Sequence, residues 1–164
     1  MKKLICILLI ALCLCAALPA GADSTVEYTL TVNGGETDAG TCYNSDGALC
    51  LELLPVAEAL GYSVDRSELS EGDVCRVVYT LTPGQDSGDA ATFELMVAYS
   101  IENSQPTAVA VSKNQMLLPL KQSMTLVDEE PYLPTEFFET GMCVSFTLDE
   151  ATQTLDMSTI SYCE

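Results

Sequence analysis

Leu53-Leu54-Pro55-Val56-Ala57-Glu58-Ala59-Leu60-Gly61-Tyr62-Ser63-Val64-Asp65 is the stretch on which the fold turns. In Pro55 to Gly61, proline occupies the first turn, Val56, Ala59 and Leu60 share one face, and Gly61 supplies a left-handed cap. These signals predict a short helix. Upstream, Asp46-Gly47 marks a turn before an apolar strand, Ala48 to Leu53. Downstream, Glu130-Pro131-Tyr132-Leu133-Pro134 precedes a second helix, in which Thr135 can cap, Phe137 and Phe138 supply buried side chains and Gly141 ends the run. Val144 to Leu148 then follows. The two stretches share the order turn, strand, proline-started helix, strand, which is read as two related strand-helix-strand half-units on one shared sheet.

Working outward, Thr29-Leu30-Thr31-Val32 alternates polar and apolar residues before Asn33-Gly34-Gly35, a strand entering a tight turn. Further strands are expected at Val74 to Thr82, Thr92 to Tyr99, Ala108 to Val111, Met116 to Leu120, Ser123 to Val127, Cys143 to Leu148 and Thr154 to Ser158. Pro83-Gly84-Gln85-Asp86-Ser87-Gly88 reads as a loop between two of them. The expected class is α+β, a mainly antiparallel sheet packed against two short helices.

The first residues, Lys2-Lys3, an apolar run from Leu4 to Leu18 and then Pro19-Ala20-Gly21-Ala22, follow the pattern of a secretory signal peptide spanning residues 1-22. The run is too short for a membrane span, so none is expected after cleavage. Residues 23-164 then form one domain. Without Lys2 and Lys3, four cations face 24 acidic groups and the formal charge moves from -18 to -20. Such a field repels nucleic acid and anionic head groups, and suits either solubility outside the cell or attraction of a basic partner.

Cys42, Cys50, Cys75, Cys143 and Cys163 remain as possible disulfide cysteines, with two bridges and one leftover thiol the expectation for an exported chain. Cys42 and Cys50 flank the turn Asn44-Ser45-Asp46-Gly47 and are placed to bridge two paired strands. No pair has zinc-ligand spacing, and the chain has no histidine, which removes imidazole metal ligands and the usual base of a nucleophilic site. Met116, Met124, Met142 and Met157 are read as core. Glu136 with Glu139, or Asp128, Glu129 and Glu130, are the carboxylates that could carry hydrolysis, and they read more simply as solvated faces. Asp65, Glu68, Glu71 and Asp73 are read as one acidic loop, the best calcium candidate, though no ordered calcium-loop motif is present.

Val32-Asn33-Gly34, Asp46-Gly47, Leu53 to Asp65, Tyr132-Leu133-Pro134-Thr135-Glu136-Phe137-Phe138-Glu139 and the closing Asp149 to Met157 together resemble the copper amine oxidase N-terminal-like domain, found widely in secreted bacterial proteins. The resemblance covers most of residues 23-164 through short motifs. It implies a stalk-type domain, an antiparallel sheet packed on helix, separate from any copper centre and with no catalytic residue to transfer. The chain departs from the pattern in its strand cysteines, absent tryptophan and shortened second helix.

The resulting expectation is a non-catalytic binding or spacer module, secreted and extracellular or loosely envelope-associated, with no cofactor. Its partner would be an unknown protein or cell-wall polymer. The exposed sheet edges are its working surface, open to an added peptide strand or to self-association. A secreted inhibitor or sequestering protein for a basic partner, a calcium-binding envelope protein and a carboxylate hydrolase are the alternatives.

Overall fold

Asn33 and Gly34 both lie in the left-handed region (φ 50° and 81°), which a two-residue hairpin turn requires and which this pair adopts at little cost. They join β1 (Thr29–Val32) to β2 (Gly35–Thr37), with Val32 opposite Gly35. The structure, a computed structural model, describes residues 28–84, 91–102 and 104–160. The expected signal peptide, Cys163 and most of the Pro83 to Gly88 loop lie outside the described residues.

Among the described residues, thirteen strands form three sheets. In the first, β1 lies between β2 and β13 (Thr154–Thr159), with β12 (Val144–Asp149) outermost beside β13. The β1–β13 pairing is parallel, an exception within a mainly antiparallel structure. The second sheet runs β10 (Thr125–Val127), β11 (Glu130–Pro134), β4 (Leu49–Glu52), β3 (Thr41–Tyr43). The third runs β5 (Tyr62–Glu71), β6 (Val74–Pro83), β7 (Phe93–Ser100), β8 (Pro106–Lys113), β9 (Met116–Leu117).

The helix α1 (Leu53–Ala59) starts two residues before the expected proline start and leads to Gly61 at φ 87°, the left-handed position read from the sequence. Its buried face is Leu53, Val56 and Ala57, continued by Leu60, whereas Ala59 is exposed. The earlier start rotates that face by bringing Leu53 into the first turn. Thr135 does not stand outside the second helix as a cap. Helical backbone begins at Thr135 itself and widens into a π-helix over Phe137–Gly141.

Tyr62 to Glu71 corrects the reading of an acidic loop. It is one ten-residue edge strand paired along its whole length with β6, from Tyr62 opposite Pro83 to Glu71 opposite Val74. Cross-strand hydrogen bonding, not burial, holds its distal half, so the sequence there carries no apolar alternation to announce a strand. Asp65 and Glu71 consequently lie on the face opposite Glu68, and Asp73 belongs to the tight turn at Gly72. Among the described residues no group of three or more His, Cys, Asp or Glu side chains could hold a metal ion.

All three sheets contribute to one buried cluster, which includes Leu30, Leu51, Leu81, Leu133, Leu155 and Met157. Through it runs an edge-to-face aromatic series: Tyr62 to Phe93 (5.9 Å), Phe93 to Phe137 (5.6 Å), Phe137 to Phe138 (5.1 Å) and Phe138 to Phe146 (6.5 Å). Lys113 packs its ammonium 5.3 Å from the Phe93 ring centre and donates to the Gly141 carbonyl at 2.7 Å, tying β8 to the end of the π-helix. Met142 and Met157 are core residues as read. Met116 is not core as read: it is 71% exposed on the short edge strand β9.

Phe137→Ala is expected to cost about 3–5 kcal/mol, since it removes a fully enclosed ring and two aromatic contacts. Gly61→Ala is expected to cost about 1 kcal/mol through its left-handed backbone alone. Urea unfolding of both variants checks the order; equal losses would mean that the aromatic series is not the main bond between the sheets.

Candidate functional site: a groove beside an open sheet edge

On the third sheet, even-numbered residues of β5 and odd-numbered residues of β6 and β7 share one face, because Arg66 opposes Tyr79, Glu68 opposes Val77 and Tyr79 opposes Leu95. Near the aromatic series this face is closed: Leu81, Phe93 and Leu95 are buried. Further along, Tyr79, Val77 and Val97 are still buried members of the core cluster, and there the same face borders a concavity of about 780 Å³. Its floor includes Tyr79, Val77, Tyr99 and Val109, and its roof is Met124 to Leu126 with Glu129. The volume lies within the roughly 300–1,000 Å³ usual for ligand sites.

Two polar anchors hold that roof. The buried Asn44 accepts from the backbone N–H groups of Asp46 (3.0 Å) and Ala48 (2.8 Å), and its Nδ2 donates to the Ser123 carbonyl at 2.6 Å. The Glu136 carboxylate accepts from the backbone N–H groups of Lys121 (2.9 Å) and Gln122 (3.2 Å). Glu136 is therefore a brace for the segment entering β10 and not merely part of a solvated helical face. Glu139 is exposed, whereas Glu136 is partly buried.

The groove's charges are few and specific. Arg66 lies 3.5 Å from Glu68, with both side chains about half exposed (53% and 51%), so this pair contributes little to stability. Hydrogen bonding with the Tyr79 side chain, more than the neighbouring charge of Glu68, raises the Arg66 guanidinium above its ordinary value. The Cys75 thiol donates to the other Glu68 oxygen at 3.3 Å. Burial, ahead of the charges around it, raises the Tyr99 phenol above its ordinary value, so its hydroxyl remains a protonated donor at neutral pH. At the lip, Asp128 (φ 51°) and Glu129 (φ 72°) form the two-residue turn between β10 and β11.

β8 forms the open side. β9 pairs only with Ser112 and Lys113, and Pro106, Thr107, Ala108 and Val109 are exposed. Among the described residues no strand pairs with that part of the edge.

The other expected residues lie elsewhere. Cys42 faces Cys50 directly across β3 and β4, both fully buried, with no disulfide between them in the structure. The Cys50 sulfur lies 4.0 Å from the Ser123 carbonyl, behind the roof. Cys143 is buried just before β12, at φ 57°. Of the acidic candidates, Glu68 and Glu129 reach the groove, while Asp128 and Glu130 flank it in sequence. Arg66, Tyr79, Tyr99 and Val109 were not singled out from the sequence. The uncharged run Pro106 to Ser112, next to an acidic surface, is the signal that marks this edge.

No family model, curated protein or solved structure matches this chain. Among the described residues no helix is long and apolar enough to cross a membrane.

Asn44→Ala and Glu136→Ala are expected to speed amide exchange of Lys121, Gln122 and the following β10 residues while leaving β6 and β7 unchanged. Hydrogen-exchange mass spectrometry checks this. Uniform acceleration in all three sheets would make both residues general stabilisers instead of braces for the roof.

Proposed function

We propose that this chain is a secreted, non-catalytic binding module that acts outside the cell or loosely held at its envelope, with the groove and the adjoining β8 edge as its working surface. One observation carries the reading: a strand edge without charged residues, unpaired among the described residues, borders a concavity of ligand-binding size. Edges are normally blunted by charge. β5, at the other side of the same sheet, carries Asp65, Arg66, Glu68 and Glu71, whereas Pro106 to Ser112 carries none. The kinship to copper amine oxidase N-terminal-like domains belongs to the same proposal and rests on the motifs. Antiparallel pairing of β4 with β11, each leading into a helix and then a strand, supports two related half-units. The acidic charge favours the second reading, a module that sequesters a basic protein.

Selection from a displayed library of unstructured peptides, covering acidic, neutral and basic sequences, tests the reading on residues 23-164. Enriched peptides are expected to protect β8 and the roof from hydrogen exchange and to compete with one another. If no class of peptide is enriched, or if protection maps to α1 and the first sheet, the groove and edge are not a peptide-binding surface.

A further inference from the structure

We propose that the occupant of this surface is an extended, basic segment of another protein, added to β8 as a further strand with its alternate, apolar side chains in the groove; the inference rests on the binding reading above.

The backbone sets where such a strand can pair. The Asn114 N–H donates to the Thr92 carbonyl at 2.8 Å, so the ladder alternation directs the backbone groups of Ser112, Ala110 and Ala108 to β7 and those of Val111 and Val109 outward. The Val111 carbonyl is already taken by the Leu118 N–H at 2.8 Å, which marks the end of the free edge. Val109 therefore presents both its N–H and its carbonyl to an incoming chain. The free stretch, Pro106 to Ala110, has room for a segment of about five residues, or roughly 17 Å.

The same alternation defines the side chains. Val109 shares the groove-facing side of the sheet with Val97 and Val77. A strand laid beside it turns every second side chain toward Tyr99, Leu126 and the 52% exposed Ile101, which favours apolar residues at those positions. β12 is also an uncharged edge over Val144 to Leu148, but none of its residues lines this concavity.

Charge selects the partner. The groove contains Glu68 and Glu129, Glu102 is exposed beside Ile101, and its cation Arg66 is already beside Glu68. The full chain carries a formal charge of -18. A second copy would bring the same charge to the same edge, whereas lysine or arginine between the apolar residues of a peptide is attracted.

The probe is an N-acetylated, C-amidated seven-residue peptide alternating lysine with valine or phenylalanine, compared with its glutamate-for-lysine counterpart by fluorescence anisotropy. The lysine peptide is expected to bind and the glutamate peptide to bind at least about tenfold more weakly, with the difference shrinking at high salt. Val109→Pro removes an outward N–H without taking a bond from β7. It is expected to weaken the lysine peptide about tenfold while leaving the unfolding transition unchanged. Glu129→Gln is expected to weaken binding and flatten its salt dependence with the edge intact.

Equal binding of the two peptides overturns the charge assignment, and binding unaffected by Val109→Pro overturns strand addition. Concentration-dependent dimers that Val109→Pro abolishes, with no peptide bound, make a second copy the occupant. If the lysine peptide fails while the library yields acidic or non-extended binders mapping to the groove, this inference falls and the binding reading stands. If the library is also empty, both fall.

Discussion

The edge-to-face aromatic series is the constraint on which the rest of the structure depends. Tyr62 and Phe93 bring in the third sheet, Phe137 and Phe138 the π-helix, and Phe146 the first sheet, while β11 enters the π-helix from the second. These include every phenylalanine in the chain. Each buried ring contributes about 1.5–3 kcal/mol of apolar burial, and each T-shaped pair adds about 0.5–1.5 kcal/mol. Exposed ion pairs cannot rival this, since the side chains of the pairs Arg66–Glu68 and Arg76–Glu71 are 39% to 74% exposed. Adjacent residues on a helix diverge by about 100°, and Phe137 and Phe138 are both enclosed because each meets a different sheet, Phe137 at Phe93 and Phe138 at Phe146.

Because the series sits at one end of the third sheet, the sheet outruns it. β5 and β6 are ten residues each, about 33 Å, and only the part near Tyr62, Leu81 and Phe93 is closed by the aromatic residues. Residues of the distal part and of β10 together line the groove. Apolar packing and hydrogen bonds together fix the roof: Met124 and Leu126 pack against the core cluster, and Asn44 and Glu136 hold the segment before β10 at two places. The floor is therefore rigid by sheet pairing, and the roof can be altered by single polar substitutions.

Much of this could be read from the residues. The Asn33-Gly34 turn, the capping Gly61, the buried pair Phe137 and Phe138 and the strands β1, β6, β7 and β13 follow from local periodicity and turn chemistry. Only the start of β5 was legible, as the strand after the first helix; its distal half is held by β6 and not by burial, so charged residues occupy a strand without disturbing it. The π-helix was illegible because its register answers to Phe93, remote in sequence, as well as to the nearby Phe146. The groove depends on which residues of β5, β6 and β7 share a face, and that register is set by the turn at Gly72 and by contacts more than 30 residues apart, such as Tyr62 with Phe93. Glu136 shows the same limit: on a helical wheel it is a solvated acid, and its role appears only when Lys121 and Gln122 fold back to it.

The acidity and the uncovered edge fit together. An uncharged strand edge ordinarily invites copies of the same chain, and the usual protection is a charge on the strand itself, as on β5. β8 lacks that local protection but belongs to a chain with a formal charge of -18, so approach of a second copy is opposed at long range while the backbone groups of Val109 stay open. Local charges would have blocked every partner alike; a diffuse acidic field discriminates by sign. The turn at Asp128 and Glu129 extends that logic to the lip of the groove. Two left-handed acidic residues stand where Asn-Gly would have been less strained, at a cost of about 1–2 kcal/mol each, and Glu129 carries its charge to the rim where a bound strand would pass.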